Sequence, residues 1–116
     1  MDDRVAAEST VLADRAVFAN AATGGDYTPE KLLAMGERIQ SLSRLYNLRT
    51  GRTHADDILP DRFYEEESCS GLMKGKKISR EFFESQVQDY FKHRGWDEDG
   101  KPTEETLARL KLSEFQ

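Results

Sequence analysis

The residues of this 116-residue chain whose chemistry reaches beyond packing are two histidines, one cysteine, and a few clusters of charge. Asp56, Asp57, Asp61, Glu65, Glu66 and Glu67 offer the oxygen ligands that hard cations take. Calcium sites need such ligands at fixed offsets in a shaped loop, so a solvated acidic loop is the simpler reading. Asp97, Glu98, Asp99 and Gly100 superficially match a calcium-binding helix-loop-helix. Aligning Gly100 with that motif's glycine puts Gly95 at its first ligand position and Thr106 at its last, and neither supplies the carboxylate required. A polar reversal between two helices explains the same residues. His54 lies near Asp56 and Asp57, but a catalytic dyad would also need a nucleophile and an orienting shell. It is expected to be a surface histidine, and His93 a favourable charge at a helix C-terminus. Cys69 stands between two serines with no basic helix terminus beside it and reads as an incidental exposed thiol.

Lys74, Lys76, Lys77 and Arg80 form the one local basic cluster. It suits either an acidic partner or, as favoured here, the acidic loop that precedes it. Phe82, Tyr90, Phe91 and Trp96 recur at helical spacing, as core or docking aromatics do, rather than as a base-stacking platform.

These residues must be positioned by helices, because no stretch alternates with period two. Residues 2–22 are alanine-rich and free of proline, with Val5, Leu12, Ala16 and Ala19 along one side, and Gly24 and Gly25 follow. Thr28 is suited to cap a second helix, with Pro29 at its first position and Glu30 at the positive end of its dipole. Leu32, Met35, Ile39, Leu42 and Leu45 or Tyr46 then fall on one stripe. Glu30, Lys31, Glu37, Arg38, Ser41 and Arg44 are expected on the remaining surface, and Gly51 is expected to stop the helix. Residues 52–77 read as an irregular connection, anchored by Ile58, Leu59, Phe63, Tyr64, Leu72 and Met73, in which Pro60 opens one short helical turn. Ser79 is suited to cap a long helix with Phe83, Val87, Tyr90 and Phe91 on its buried face, closed by Gly95. Thr103 is suited to cap a last helix carrying Leu107, Leu110 and Leu112. The expectation is a single all-α domain over 1–116: a small orthogonal array of about four helices with an ordered irregular connection.

Composition narrows the function classes. A net charge of −5 leaves no excess of positive charge to neutralise phosphates, which argues against nucleic acid and against acidic membrane surfaces. The apolar runs are short, and Met1 is followed by two aspartates rather than a basic, then apolar, leader. A soluble cytoplasmic protein is therefore expected. One cysteine can form neither an internal disulfide nor a multi-thiolate metal site. With 37% hydrophobic against 34% charged residues, part of the stability is expected to come from a face docked on other protein.

Three stretches read together resemble one family. Asn20-Ala-Ala-Thr-Gly24, Thr28-Pro-Glu30, Leu33 and Gly36-Glu-Arg-Ile39 are similar to the C-terminal all-helical region of tungsten-containing aldehyde ferredoxin oxidoreductases. Arg44-Leu-Tyr-Asn-Leu-Arg49, Asp56-Asp57, Leu59-Pro60 and Arg62-Phe63 continue the order. Lys74-Gly75, Tyr90, and Arg94-Gly-Trp-Asp97 through Gly100 and Pro102 complete it, so the resemblance covers about residues 17–112. Two features depart from the pattern: Gly25 stands where the family often carries tryptophan, and residues 1–16 lack a recognisable form of its pterin-contacting aspartate and glycine pattern.

The resemblance implies an enzyme family that oxidises aldehydes to carboxylic acids. Electrons pass from a tungsten bis-pterin (molybdopterin-type) centre through a four-iron four-sulfur cluster to ferredoxin. It also implies that both groups are held by segments preceding this region, so Cys69 is not expected to be a cluster ligand. No catalytic, cofactor-binding or metal-binding residue is assigned within the chain. The expected role is structural: to shape the substrate channel and to dock on the cofactor-bearing domains of the same enzyme or of a separate catalytic chain. The chain is expected to be inactive alone. Phe18, Leu32, Met35, Ile39, Tyr46, Phe63 and Trp96 are the candidate docking residues. The alternatives are a separately encoded helical subunit or interaction module with no redox role, and an unrelated small helical interaction protein.

Overall fold

The computed structural model describes residues 3–116, with side chains described from residue 10 onward; the expected stripe position Val5 lies outside the described side chains. The fold is all-α, as expected. Among the described residues it comprises α1 (Asp3–Thr23), α2 (Pro29–Arg49), α3 (Arg62–Glu65), α4 (Arg80–Arg94) and α5 (Glu104–Arg109). Single 3-10 turns at His54–Asp56, Gly71–Met73 and Ser113–Phe115 punctuate the connections. The α3 turn falls where Pro60 predicts one. Among the described residues no helix is long and apolar enough to cross a membrane. The chain divides into two compact units, Met1–Gln40 and Ser41–Gln116.

In the first unit the side chain of Asn20 spans the link between α1 and α2, and Lys31 of α2 reaches back to Asp26 within it. Asn20 Nδ2 donates to the Tyr27 carbonyl at 3.0 Å, and the Tyr27 N–H donates to Asn20 Oδ1 at 2.6 Å. Both ends of an amide thereby replace the backbone partners that a chain reversal removes. Thr28 caps α2 as predicted, accepting from the Lys31 N–H at 3.2 Å. At Gly25 the Tyr27 ring occupies the neighbourhood, 2.8 Å from where a Cβ would stand, so a larger residue there requires the ring to move.

In the second unit the core is a leucine cluster of Leu45, Leu107, Leu110 and Leu112, with Phe91 and Trp96 also buried. α4 begins at Ser79, whose hydroxyl accepts from the Phe82 N–H at 3.0 Å, and ends at Gly95 in the left-handed conformation. Gly95 also permits close approach: a Cβ there would overlap the Thr106 hydroxyl. Thr106 Oγ1 and Thr103 Oγ1 both donate to the Gly95 carbonyl, at 2.7 and 3.1 Å, which ties the end of α4 to the start of α5. Between them, Asp97 Oδ1 accepts from the N–H groups of Asp99 and Lys101 at 3.0 and 2.9 Å, the Asx-type reversal that the sequence predicts.

Of the expected anchors of the irregular connection, Leu59 and Tyr64 are half-buried, whereas Ile58, Phe63, Leu72 and Met73 are exposed, so the segment is held by polar and ring contacts around Tyr64 rather than by apolar burial. The Leu59 N–H donates to the Tyr64 hydroxyl at 3.1 Å, the Arg80 guanidinium stacks 4.1 Å above the Tyr64 ring, and Arg80 pairs with Asp61 at 2.9 Å. Arg80 thus does balance the acidic loop.

The register of α2 corrects one expectation. Ser41 and Arg44, read as surface positions, are buried with Leu45. Met35, Ile39, Leu42 and Tyr46, on the apolar stripe, are exposed. Hydrophobic periodicity misplaces the face because it counts Arg44 as polar, while its aliphatic stem packs and its charge is satisfied internally.

Candidate functional site

Arg44 organises the second unit's polar centre. It is only 8% exposed, and its guanidinium has three partners: Nε donates to the Gly100 carbonyl at 2.8 Å, and Nη1 and Nη2 grip Asp57 Oδ1 and Oδ2 at 2.8 and 2.6 Å. The planar fork of arginine matches a carboxylate in this bidentate way, which an ammonium cannot. The same guanidinium carbon lies 5.4 Å from the ring centres of both Phe91 and Trp96. Trp96 is satisfied in turn, its Nε1–H donating to the Ser41 hydroxyl at 3.2 Å. Gly100, with φ of +73°, lets the turn approach this closely, since a Cβ would overlap Arg44 and the Phe91 ring edge.

His54 joins this centre rather than the free surface. Its Nε2 lies 2.9 Å from Glu84 Oε1, its Nδ1 lies 3.5 Å from Asp57 Oδ2, and its ring meets Phe91 edge-on at 5.2 Å. Burial works to lower the His54 pKa, but the hydrogen bond and charge of Glu84, aided by Asp57, outweigh it and raise the pKa above the ordinary value. For Asp57, burial works upward, but the Arg44 guanidinium and then His54 prevail and hold the carboxyl below the usual range. Glu84 is lowered by its hydrogen bond from Gln88 and by His54.

A cleft of about 800 Å³ opens beside this network, walled by Leu45, Leu48, Arg49, His54, Lys101 and Phe115 among others. A second of about 510 Å³ lies beside Cys69, Phe63 and Met73. Cys69 is exposed, and His93 Nδ1 donates to the Asp89 carbonyl at the end of α4.

The expected docking residues fall into two groups. Phe18 (75% exposed), Met35, Ile39 (62%), Tyr46 (68%) and Phe63 stand open on the surface, and Leu32 is half-buried. Trp96 is buried within the second unit. Sequence reasoning missed the Arg44, Asp57, His54 and Glu84 network. The available signals were the short spacing of His54 to Asp57 and the glycine in the reversal that faces Arg44.

The donor set does not fit the cofactors that the resemblance implies. A four-iron cluster takes four thiolates and the chain has one cysteine. Among the described residues no three of His, Cys, Asp and Glu converge on a point where a metal would sit.

Comparison with known proteins gives a consistent set of likenesses. Residues 5–112 match the family model described as aldehyde ferredoxin oxidoreductase, domains 2 and 3. The chain is 44% identical over 97 residues to the tungsten-containing aldehyde ferredoxin oxidoreductase of Pyrococcus furiosus, a match covering 83% of this chain and 16% of the relative. It is 40% identical over 103 residues to the aliphatic sulfonate oxidoreductase, WOR-like subunit, of the same organism, covering 84% and 16%. Among solved structures it resembles the active-site complex BamBC of benzoyl coenzyme A reductase in complex with 1,5-dienoyl-CoA. There the TM-score is 0.72 at 28% identity, over 90% of this chain and 14% of that one. The chain thus spans about one sixth of the length of the relatives it matches.

Proposed function

The chain belongs to the aldehyde ferredoxin oxidoreductase family, and on that premise we propose that it serves as a helical, non-catalytic part of a tungsten-dependent oxidoreductase. In this reading the enzyme oxidises aldehydes to carboxylic acids and passes the electrons to ferredoxin. The chain docks on the domains that hold the tungstopterin and the iron-sulfur cluster, and its helices help to shape the substrate channel.

The observation that carries the reading is the exposure of Met35, Ile39, Leu42 and Tyr46 along α2 at spacings of four, three and four. A helix that leaves its apolar stripe in water while burying an arginine on another face is suited to a protein surface. Phe18 and Phe63 are exposed likewise. That the matched relatives are about six times longer agrees with such a surface being covered.

Reconstitution tests this. Mixing the purified chain with a tungstopterin-bearing chain of the same family should give a complex, and Ile39→Asp or Tyr46→Asp should weaken it at least about tenfold, as burying an unpaired carboxylate does. Both variants should leave the melting temperature of the chain unchanged. Aldehyde turnover by this polypeptide alone, or wild-type affinity in both variants, would count decisively against the proposal.

A second reading keeps the docking but not the covalent linkage: a separately encoded subunit. It is favoured by the name of one relative, a WOR-like subunit. A tungstopterin-binding segment encoded in the same reading frame would eliminate it.

A further inference from the structure

His54 is placed so that the location of a proton decides whether its contacts hold. Nε2 faces Glu84 Oε1 of α4 at 2.9 Å and Nδ1 faces Asp57 Oδ2 at 3.5 Å. Nδ1 is closed off from solvent and makes no hydrogen bond, so the Asp57 carboxylate acts on it through charge alone. A neutral imidazole carries one N–H, so either tautomer directs a lone pair at one of the two carboxylates. Only the imidazolium presents a donor to each.

The surrounding groups favour a charged ring over a change in its partners. Asp57 is fixed as a carboxylate by both Arg44 Nη groups, so it cannot turn into a donor. Glu84 already accepts from Gln88 Nε2 at 3.1 Å and stands half in solvent, so it has no desolvation-driven reason to take a proton. Asp56, on the same 3-10 turn, is engaged by the Thr53 N–H at 2.8 Å. Arg49, Asp99 and Lys101 stand on the walls of the cleft that His54 also lines. Edge-on contact with Phe91 restrains the ring.

We propose that His54 is a protonation-controlled clasp: as imidazolium it holds the 3-10 turn at His54–Asp56 against α4 through Glu84 and against the Arg44-bound Asp57 through charge, and on losing a proton it gives up one of these two attractions and loosens the turn from the cleft it walls. The proton leaves to solvent from the Glu84 side, where the pair is open to water. Because Asp57 stays bound to Arg44, the released element is the 3-10 turn and not the core beneath it. The clasp is independent of the docking surface.

Nuclear magnetic resonance of the 116-residue chain tests it, following the His54 ring and the amide exchange of residues 53–57 against pH. The ring should titrate with a midpoint above 6.5, and exchange at 53–57 should step up through the same midpoint, beyond the ordinary base-catalysed rise. Glu84→Gln, on the surface, keeps an acceptor but removes the charge; the ring midpoint should fall toward 6.5 and the exchange step should move with it. In His54→Gln the step should vanish. A step that survives in His54→Gln, or a ring midpoint that Glu84→Gln leaves in place, overturns the clasp.

Discussion

At the scale of single residues, Arg44 and Gly100 depend on each other. The Gly100 carbonyl takes the Arg44 Nε–H, and the absent Cβ leaves room for the guanidinium. Gly100→Ala meets two penalties, a positive φ and overlap with Arg44 and Phe91, and should cost about 2–4 kcal/mol. Gly75 has nearly the same φ, +75°, but open space around it, so Gly75→Ala should cost only the backbone share, about 1–2 kcal/mol. Chemical denaturation of the two variants separates backbone strain from overlap; equal losses would refute the account of Gly100.

Arg44→Lys keeps a charge but loses the fork, and should cost about 1–3 kcal/mol by the same measurement.

The pH dependence follows from the same group of residues. Asp57 has a lowered folded pKa, so its stabilisation is complete above the ordinary 3.8 and fades as pH falls through the folded value. His54 has a raised folded pKa, so its stabilisation is complete below 6.5 and fades as pH rises through the folded value. The network is therefore strongest between roughly pH 4 and 6.5. Unfolding free energy followed across pH should show both slopes, and Asp57→Asn should make the acid one shallower, with the lowered Glu84 still contributing to it.

At the scale of elements, the helix ends carry much of the specification. Ser79→Ala removes one cap bond and should cost about 1 kcal/mol. Thr103→Ala should cost about 2 kcal/mol, because its hydroxyl caps α5 and also donates to the Gly95 carbonyl. Thermal melts that rank the two in the opposite order would show that the Thr103 to Gly95 link contributes nothing.

These ends were legible in the sequence. Ser79, Gly95, Thr28 and Thr103 act through bonds to residues within a few positions, and such signals survive in a linear reading. The buried face of α2 was not legible. Placing Ser41 and Arg44 inside depends on Trp96, Asp57 and Gly100, which lie between 13 and 56 residues away. No local pattern announces a charge whose partner arrives that late. His54 was misjudged for the same reason, since Glu84 is 30 residues distant.

At the scale of the whole molecule, the two units differ in how much they bury. Among the described side chains of the first unit only Ala16 is buried, whereas the second unit holds the leucine cluster with Phe91 and Trp96. A segment of about 40 residues rarely stabilises itself without help. Amides of residues 12–23 in the purified chain should therefore exchange at least about tenfold faster than those of 104–110. Binding of a cofactor-bearing partner should slow exchange around Phe18 and Ile39. Equal protection of α1 and α5 in the free chain would show that the first unit has a support not visible in its burial.

Trp96 is the single tryptophan, packed edge-on against Tyr90 at 5.6 Å and bonded to Ser41. Its ultraviolet emission is consequently a private channel for residues 41–116: excitation at long wavelength lights one indole and nothing in the first forty positions. A fluorescence melt and a circular-dichroism melt of the same sample then need not coincide, and the interval between them reads out how independently the α1 segment comes apart.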